Sequence, residues 1–219
     1  MPKTIVEYLH HHVANKPNEI AFSFLPSSTE PLAELTFVEF YSEALSVANF
    51  LKSKVHVGDK VLLLYPQNID YVVTFYGCLL AGVIAIPAPL PKNNPTQIIN
   101  IINECKPVLA LTTLREVSEI KAFWGKHKDV TDSISIFTSD NSVAYLVDLE
   151  PLIELDPQAP AFVHYFSDSK NMCKSLMLTH NDILETVKHL PLAYAERMDD
   201  IFVGWLPFFN DMDMIDLCS

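Results

Sequence analysis

The sequence predicts an α/β fold: a doubly wound, largely parallel sheet covered by helices on both faces. Helical segments alternate with short apolar runs through most of the chain, the succession that a parallel sheet with crossover helices requires. The runs themselves are continuously apolar rather than alternating. KVLLLY at Lys60–Tyr65 is the clearest, and it fits a strand buried on both sides. Finally, helix starts are marked by capping residues, which fixes where each helical segment begins.

Taken in order, Thr4 and Glu7 form a capping signal for a helix to about Asn15, and Ile20–Leu25 reads as a strand. Thr36 and Glu39 open a long amphipathic helix ending near Lys52. After Gly58-Asp59 comes the strand Lys60–Tyr65, then a helix over 68–81, a strand over 83–87 and a proline-rich loop over 87–95. A helix over 96–104, a strand Val108–Leu111, a helix over 115–125 and a strand Ile134–Phe137 follow. Tyr71–Pro91 carries no charge and approaches the length of a membrane span. Gly82 and the prolines at 87, 89 and 91 divide it, so helix followed by buried strand is the favoured reading. Residues 139–160 read as a connector. Beyond it, Ala161–Phe166 is a strand, 167–175 a polar loop and Leu176–Leu178 a short apolar run. Thr179 with Asp182 caps a helix to about Tyr194, and Ile201–Leu206 is a further strand.

The chain has 219 residues, 49% of them hydrophobic and 19% charged, enough apolar surface for a packed core rather than a disordered chain. Fifteen basic against 27 acidic residues give a net charge of −12, which repels phosphate backbones and argues against a nucleic-acid partner. Cys78, Cys105, Cys173 and Cys218 are widely spaced with no CxxC pair, and the N-terminus lacks the apolar core of a signal peptide. These features predict reduced thiols and a cytoplasmic protein. Glycine is scarce: 5, where average usage of about 7% would give about 15.

The stretch His164–His180, HYFSDSKNMCKSLMLTH, resembles the phosphate-binding motif of the adenylate-forming superfamily, YTSGSTGxPKGVxLTH. Tyr165, Ser167, Ser169, Lys174, Met177, Leu178, Thr179 and His180 stand in register. Gly204–Ile215, GWLPFFNDMDMI, is similar to the family's WLPLYHDMGLI, and Gly58–Pro91 resembles the fatty acyl-AMP ligase branch in particular. The resemblance implies the N-terminal portion of an AMP-binding domain, with residues 1–150 as a first α/β unit. Residues 151–219 begin a second unit carrying the phosphate loop. It also implies ATP and Mg as cofactors, and a fatty acid and an acyl carrier protein as partners. Ser167, Ser169 and Lys174 would handle phosphates, and Trp205, Phe209 and Asn210 would lie at the substrate pocket.

The departures from that pattern all point one way. A phosphate cradle uses glycines so that backbone N–H groups can turn toward the anion and approach it closely. Here the three glycine positions hold Asp168, Asn171 and Ser175, the proline position holds Cys173, and the threonine positions hold Phe166 and Lys170. A carboxylate such as Asp168 about 4 Å from one phosphate charge costs on the order of 4 kcal/mol at an effective dielectric of 20. In the second stretch the family histidine is Asn210, which carries no proton at neutral pH, and its glycine is Asp213. The chain also lacks the family's adenine- and ribose-binding motifs and its C-terminal domain with the catalytic lysine. The expectation is a truncated, inactive fragment or pseudoenzyme; the alternative is a non-catalytic lipid- or protein-binding module.

Other tempting features have plainer readings. His10, His11 and His12 point about 100° apart on a helix and cannot converge on one metal. Gly125–Lys128 reads as an exposed helix end, Cys173 as an inert thiol and His180 as a structural histidine. For Lys174, residual phosphate contact and a plain surface role stand level. The apolar stripe over 68–81 reads as core.

Overall fold

The computed structural model describes residues 2–25, 33–140, 154–167 and 173–194; for 166, 167, 173 and 190–194 only the backbone is described. α1 spans Ile5–Asn15, β1 Ile20–Phe24, β2 Ala33–Thr36 and α2 Phe37–Lys52. β3 (Lys60–Leu64), α3 (Ile69–Ala81), β4 (Ile84–Ala88), α4 (Pro95–Cys105) and β5 (Leu109–Thr112) follow. Then come α5 (Val117–Lys126), the single turn α6 (Lys128–Thr131), β6 (Ser135–Thr138), β7 (Pro160–Ser167), β8 (Cys173–Thr179) and α7 (His180–Tyr194).

Among the described residues six strands form one sheet in the order β6-β5-β3-β4-β7-β8. All neighbours are parallel except β7 and β8, which form an antiparallel hairpin at one edge. β7 and β8 therefore continue the sheet begun by β3–β6, although they follow residue 150 in sequence. β1 and β2 pair antiparallel in a separate ribbon.

The winding is double because period-2 alternation gives every central strand two buried faces. Val61 and Leu63 of β3 and Leu109 and Leu111 of β5 pack with α1, α2, α3 and α7, while Leu62, Leu64 and Ala110 pack with α4 and α5. On β7 the alternation slips once. Ala161 and Phe162 both join the first core, where the β7–β8 register shifts between Pro160 and Phe162. A bulge that puts two residues against one partner has this effect.

The helix starts follow the sequence signals, with one change. Thr36 and Glu39 make both bonds of a capping box: Glu39 N–H donates to Thr36 Oγ1 at 3.4 Å, and Thr36 N–H donates to Glu39 Oε2 at 2.9 Å. At α1, Thr4 Oγ1 accepts from Glu7 N–H at 3.1 Å, but the Glu7 carboxylate takes the N–H of Lys3, one residue earlier than a capping box requires. α3 is buried on every side from Tyr71 to Ala81 and ends at Gly82, whose φ of 70° is the left-handed cap that glycine adopts without cost. The uncharged stretch that matched a membrane span is thus a central helix and a central strand. Among the described residues no helix is long and apolar enough to cross a membrane. Gly77 lets α3 approach α2 closely: a Cβ there would lie 2.6 Å from Val47 Cγ1 and 3.0 Å from the Ala44 carbonyl oxygen.

Candidate functional site at the β7–β8 hairpin

The parallel strands end on one side of the sheet, where α/β proteins place their ligands. β7 reaches that side at Ser167 and β8 returns from Cys173, which pairs with Ser167; Phe166 pairs with Lys174 and Tyr165 with Ser175. The motif residues Ser167 and Lys174 are therefore brought to the mouth of one hairpin, Ser167 by its backbone position. Ser169 lies outside the described residues, as do Asp168, Lys170 and Asn171, and so do Trp205, Phe209 and Asn210. The expected loop over 167–175 is shorter at its far end, because Cys173–Ser175 are already strand. Lys174 is an exposed strand residue.

Two motif side chains anchor the hairpin to the last turn of α4. The Tyr165 hydroxyl, on a buried ring, lies 2.8 Å from the Cys105 thiol. The Ser175 hydroxyl donates to the Glu104 carboxylate. That second contact is one that a glycine cannot make, so the serine at this family glycine position is used by the protein itself. Spacing alone gave no hint of either partner, since they lie 60 and 71 residues away along the chain.

Past the hairpin, Thr179 and Asp182 cap α7 reciprocally. Asp182 N–H donates to Thr179 Oγ1 at 3.1 Å, and Thr179 N–H donates to Asp182 Oδ2 at 2.9 Å. Two bonds into Oδ2, from the Thr179 backbone N–H and, at 2.7 Å, from the Thr179 hydroxyl, hold the Asp182 carboxyl below its ordinary range. His180, at 2% exposure, has no hydrogen-bond partner for Nδ1 among the described residues. Burial pushes its pKa down to about 4, so the ring is neutral at pH 7. This agrees with a structural histidine. His12 stacks on Phe37 with ring centroids 5.1 Å apart, and among the described residues no group of three or more His, Cys, Asp or Glu is arranged to hold a metal.

A cavity of about 230 Å³ opens between α2, α3 and the end of β6, lined in part by Glu43, Asp70 and Asp140. Burial, and then the neighbouring carboxylates, raise the Glu43 and Asp70 carboxyls above their ordinary values. An acid-lined hollow of this kind repels a nucleotide. At the hairpin mouth the described residues offer one cation, Lys174, beside a serine committed to a carboxylate.

The stretch that resembles a phosphate-loop motif thus forms a hairpin at the carboxyl ends of a parallel, doubly wound sheet, the side where α/β domains bind their ligands. The sequence profile described as AMP-binding enzyme matches residues 9–219, and the chain belongs to that family. Among curated relatives it is 26% identical over 218 residues to the medium-chain-fatty-acid acyl-carrier-protein ligase JamA of Moorena producens, covering 97% of this chain and 37% of that protein. It is 27% identical over 221 residues to the long-chain-fatty-acid AMP ligase FadD32 of Mycolicibacterium smegmatis, covering 97% and 34%. The chain thus spans less than two fifths of the length of these relatives. In fold it matches the fatty acyl-adenylate ligase from L. pneumophila with a TM-score of 0.83 at 23% identity, over 100% of this chain and 38% of that one. The same score, at 20% identity over 94% and 33%, relates it to McyG A-PCP complexed with phenylalanyl-adenylate.

Proposed function

We propose that this chain is a fatty acyl-AMP ligase-like module whose phosphate loop no longer supports adenylation: by itself it binds ATP weakly or not at all and forms no acyl-adenylate. The observation that carries the reading is the loop text, in which Asp168, Asn171 and Ser175 occupy glycine positions. The Ser175–Glu104 hydrogen bond supports it. Ser167, Ser169 and Lys174 are the residues through which any remaining phosphate contact runs, and Trp205, Phe209 and Asn210 those of a residual acyl pocket. Mg, a fatty acid and an acyl carrier protein are the cofactor and partners of the intact activity, and the cytoplasm is its compartment. The test is incubation with ATP, Mg and a panel of fatty acids. No pyrophosphate release and no acyl-adenylate is the expected result, and turnover by this chain alone refutes the inactive reading.

A second reading, a non-catalytic lipid- or protein-binding module, is favoured by one observation. On the edge strand β8, Leu176 is 49% and Met177 47% exposed. Stabilisation of the melting transition by a fatty acid and not by ATP distinguishes it from residual ligase chemistry.

A further inference from the structure

The two contacts from α4 to the hairpin fall on a single rung of its ladder. Tyr165 of β7 and Ser175 of β8 are directly paired. The buried Tyr165 hydroxyl lies 2.8 Å from the Cys105 thiol, and the Ser175 hydroxyl donates to the Glu104 carboxylate. Glu104 and Cys105 are the last residues of α4. Both strands are thus fastened to one helical turn at the same level. Between this rung and the mouth of the hairpin lie the pairs Phe166 with Lys174 and Ser167 with Cys173.

As a helix residue alone, Glu104 is badly placed. A carboxylate in the last turn faces the negative end of the helix dipole, where cations are favoured, and the last turn of α4 carries no basic residue. A hydroxyl donated from β8 supplies the partner that the helix end does not, through a bond strengthened by the charge on the acceptor. Tyr165 is also held by packing in the core on the α4 face. Ser175 reaches α4 through its hydroxyl, so the hold on β8 at this rung passes through Glu104.

We infer that Glu104 is a positioning residue of the hairpin: through the Ser175 hydroxyl it fixes β8 to the end of α4, so that separation of the two strands from the mouth inward stops at the Tyr165–Ser175 rung. The outer pairs, to which the motif positions Ser167 and Lys174 belong, open without the rest of the hairpin. The inner pairs, from His164–Leu176 to Phe162–Leu178, open only when the bond to Glu104 breaks. The inference does not depend on the proposed function; its test uses no nucleotide, so either can fail alone.

The experiment is hydrogen–deuterium exchange of the full chain without nucleotide, resolved by overlapping peptides, for wild type, Glu104→Ala, Ser175→Ala, their double variant and Glu104→Gln. Glu104→Ala and Ser175→Ala are each expected to speed exchange over 161–164 and 176–179 about fivefold or more. Exchange over 109–126 should stay as in wild type. The double variant should be no faster than the faster single one, and Glu104→Gln, which keeps an acceptor oxygen, should return part of the protection. A role confined to the helix has the opposite sign, because alanine is the better helix former and relieves the dipole penalty. Exchange over the inner pairs that Glu104→Ala leaves unchanged or slows overturns the inference. A rise spread evenly over the whole chain, or single effects that add in the double variant, overturns it as well.

Discussion

Replacing His180 by glutamine removes a ring that burial keeps neutral down to about pH 4. Its folded pKa of about 4, against an ordinary value of about 6.5, means that the unfolded chain takes up a proton first as the pH falls. The stability tied to this neutral ring is therefore complete above about 6.5. It declines as the pH drops through 6.5, and the loss is complete near 4, where the folded state is also protonated. At 1.36 kcal/mol for each unit of pKa shift, the loss is on the order of 3 kcal/mol. This is a large part of the usual 5–15 kcal/mol stability of a domain. Urea unfolding followed by circular dichroism, in small pH steps from neutral to about 4, measures it. Other groups titrate in this range, so the quantity of interest is the difference between wild type and His180→Gln. The wild type should lose up to about 3 kcal/mol more than the variant. At pH 7 the variant should be no more than about 1–3 kcal/mol less stable, because Nδ1 has no partner among the described residues to lose. Parallel pH curves for the two proteins, or a His180 ring titrating near 6.5 by NMR, refute the argument.

Gly77→Ala should destabilise by about 1–2 kcal/mol, because overpacking against Val47 outweighs the roughly 1 kcal/mol that alanine gains in a helix; Val47→Ala in the same chain should return part of the loss in a double-mutant cycle. Thr36→Ala removes the side-chain acceptor for Glu39 N–H and the hydroxyl bond to Glu39 Oε2 while keeping the backbone bond of the capping box at α2, and should cost about 1 kcal/mol, read as a fall of about 2–4 °C in melting temperature. The Cys78 and Cys105 thiols are buried, and burial raises both out of the reactive range, so an alkylating reagent should modify them only on unfolding, as mass spectrometry of peptides would show. Restoring Asp168, Asn171 and Ser175 to glycine together should make the melting temperature rise with added ATP; no such rise would place the deficit outside the loop.

How much of this could be read from the residues depended on whether the cause was local. Caps are local, and Thr36 and Thr179 mark their helices within one turn. Burial on both faces writes itself into composition, so KVLLLY gave β3 to within a residue. Edge elements carry no such mark. β2 is four residues with no fully buried side chain, and the first three residues of β8 are Cys, Lys and Ser. Their strand conformation comes from pairing with a neighbour already in place. The site divides the same way. The motif located the hairpin, but the partners of Tyr165 and Ser175 are fixed only by how α4 crosses the sheet.

Those two partners are adjacent residues, Glu104 and Cys105, at the end of α4. One holds β8 and the other β7, so a single helical turn fastens both strands of the hairpin from one face. In a loop of glycines, backbone N–H groups are left to a ligand and the chain depends on that ligand to order it. Here a side chain at one of those positions draws its order from α4 instead. The hairpin is thus positioned without a nucleotide, and a nucleotide that required Ser175 to turn would have to break the bond to Glu104, a charge-assisted contact stronger than a neutral one. Loss of glycine and gain of an internal contact are two sides of one change.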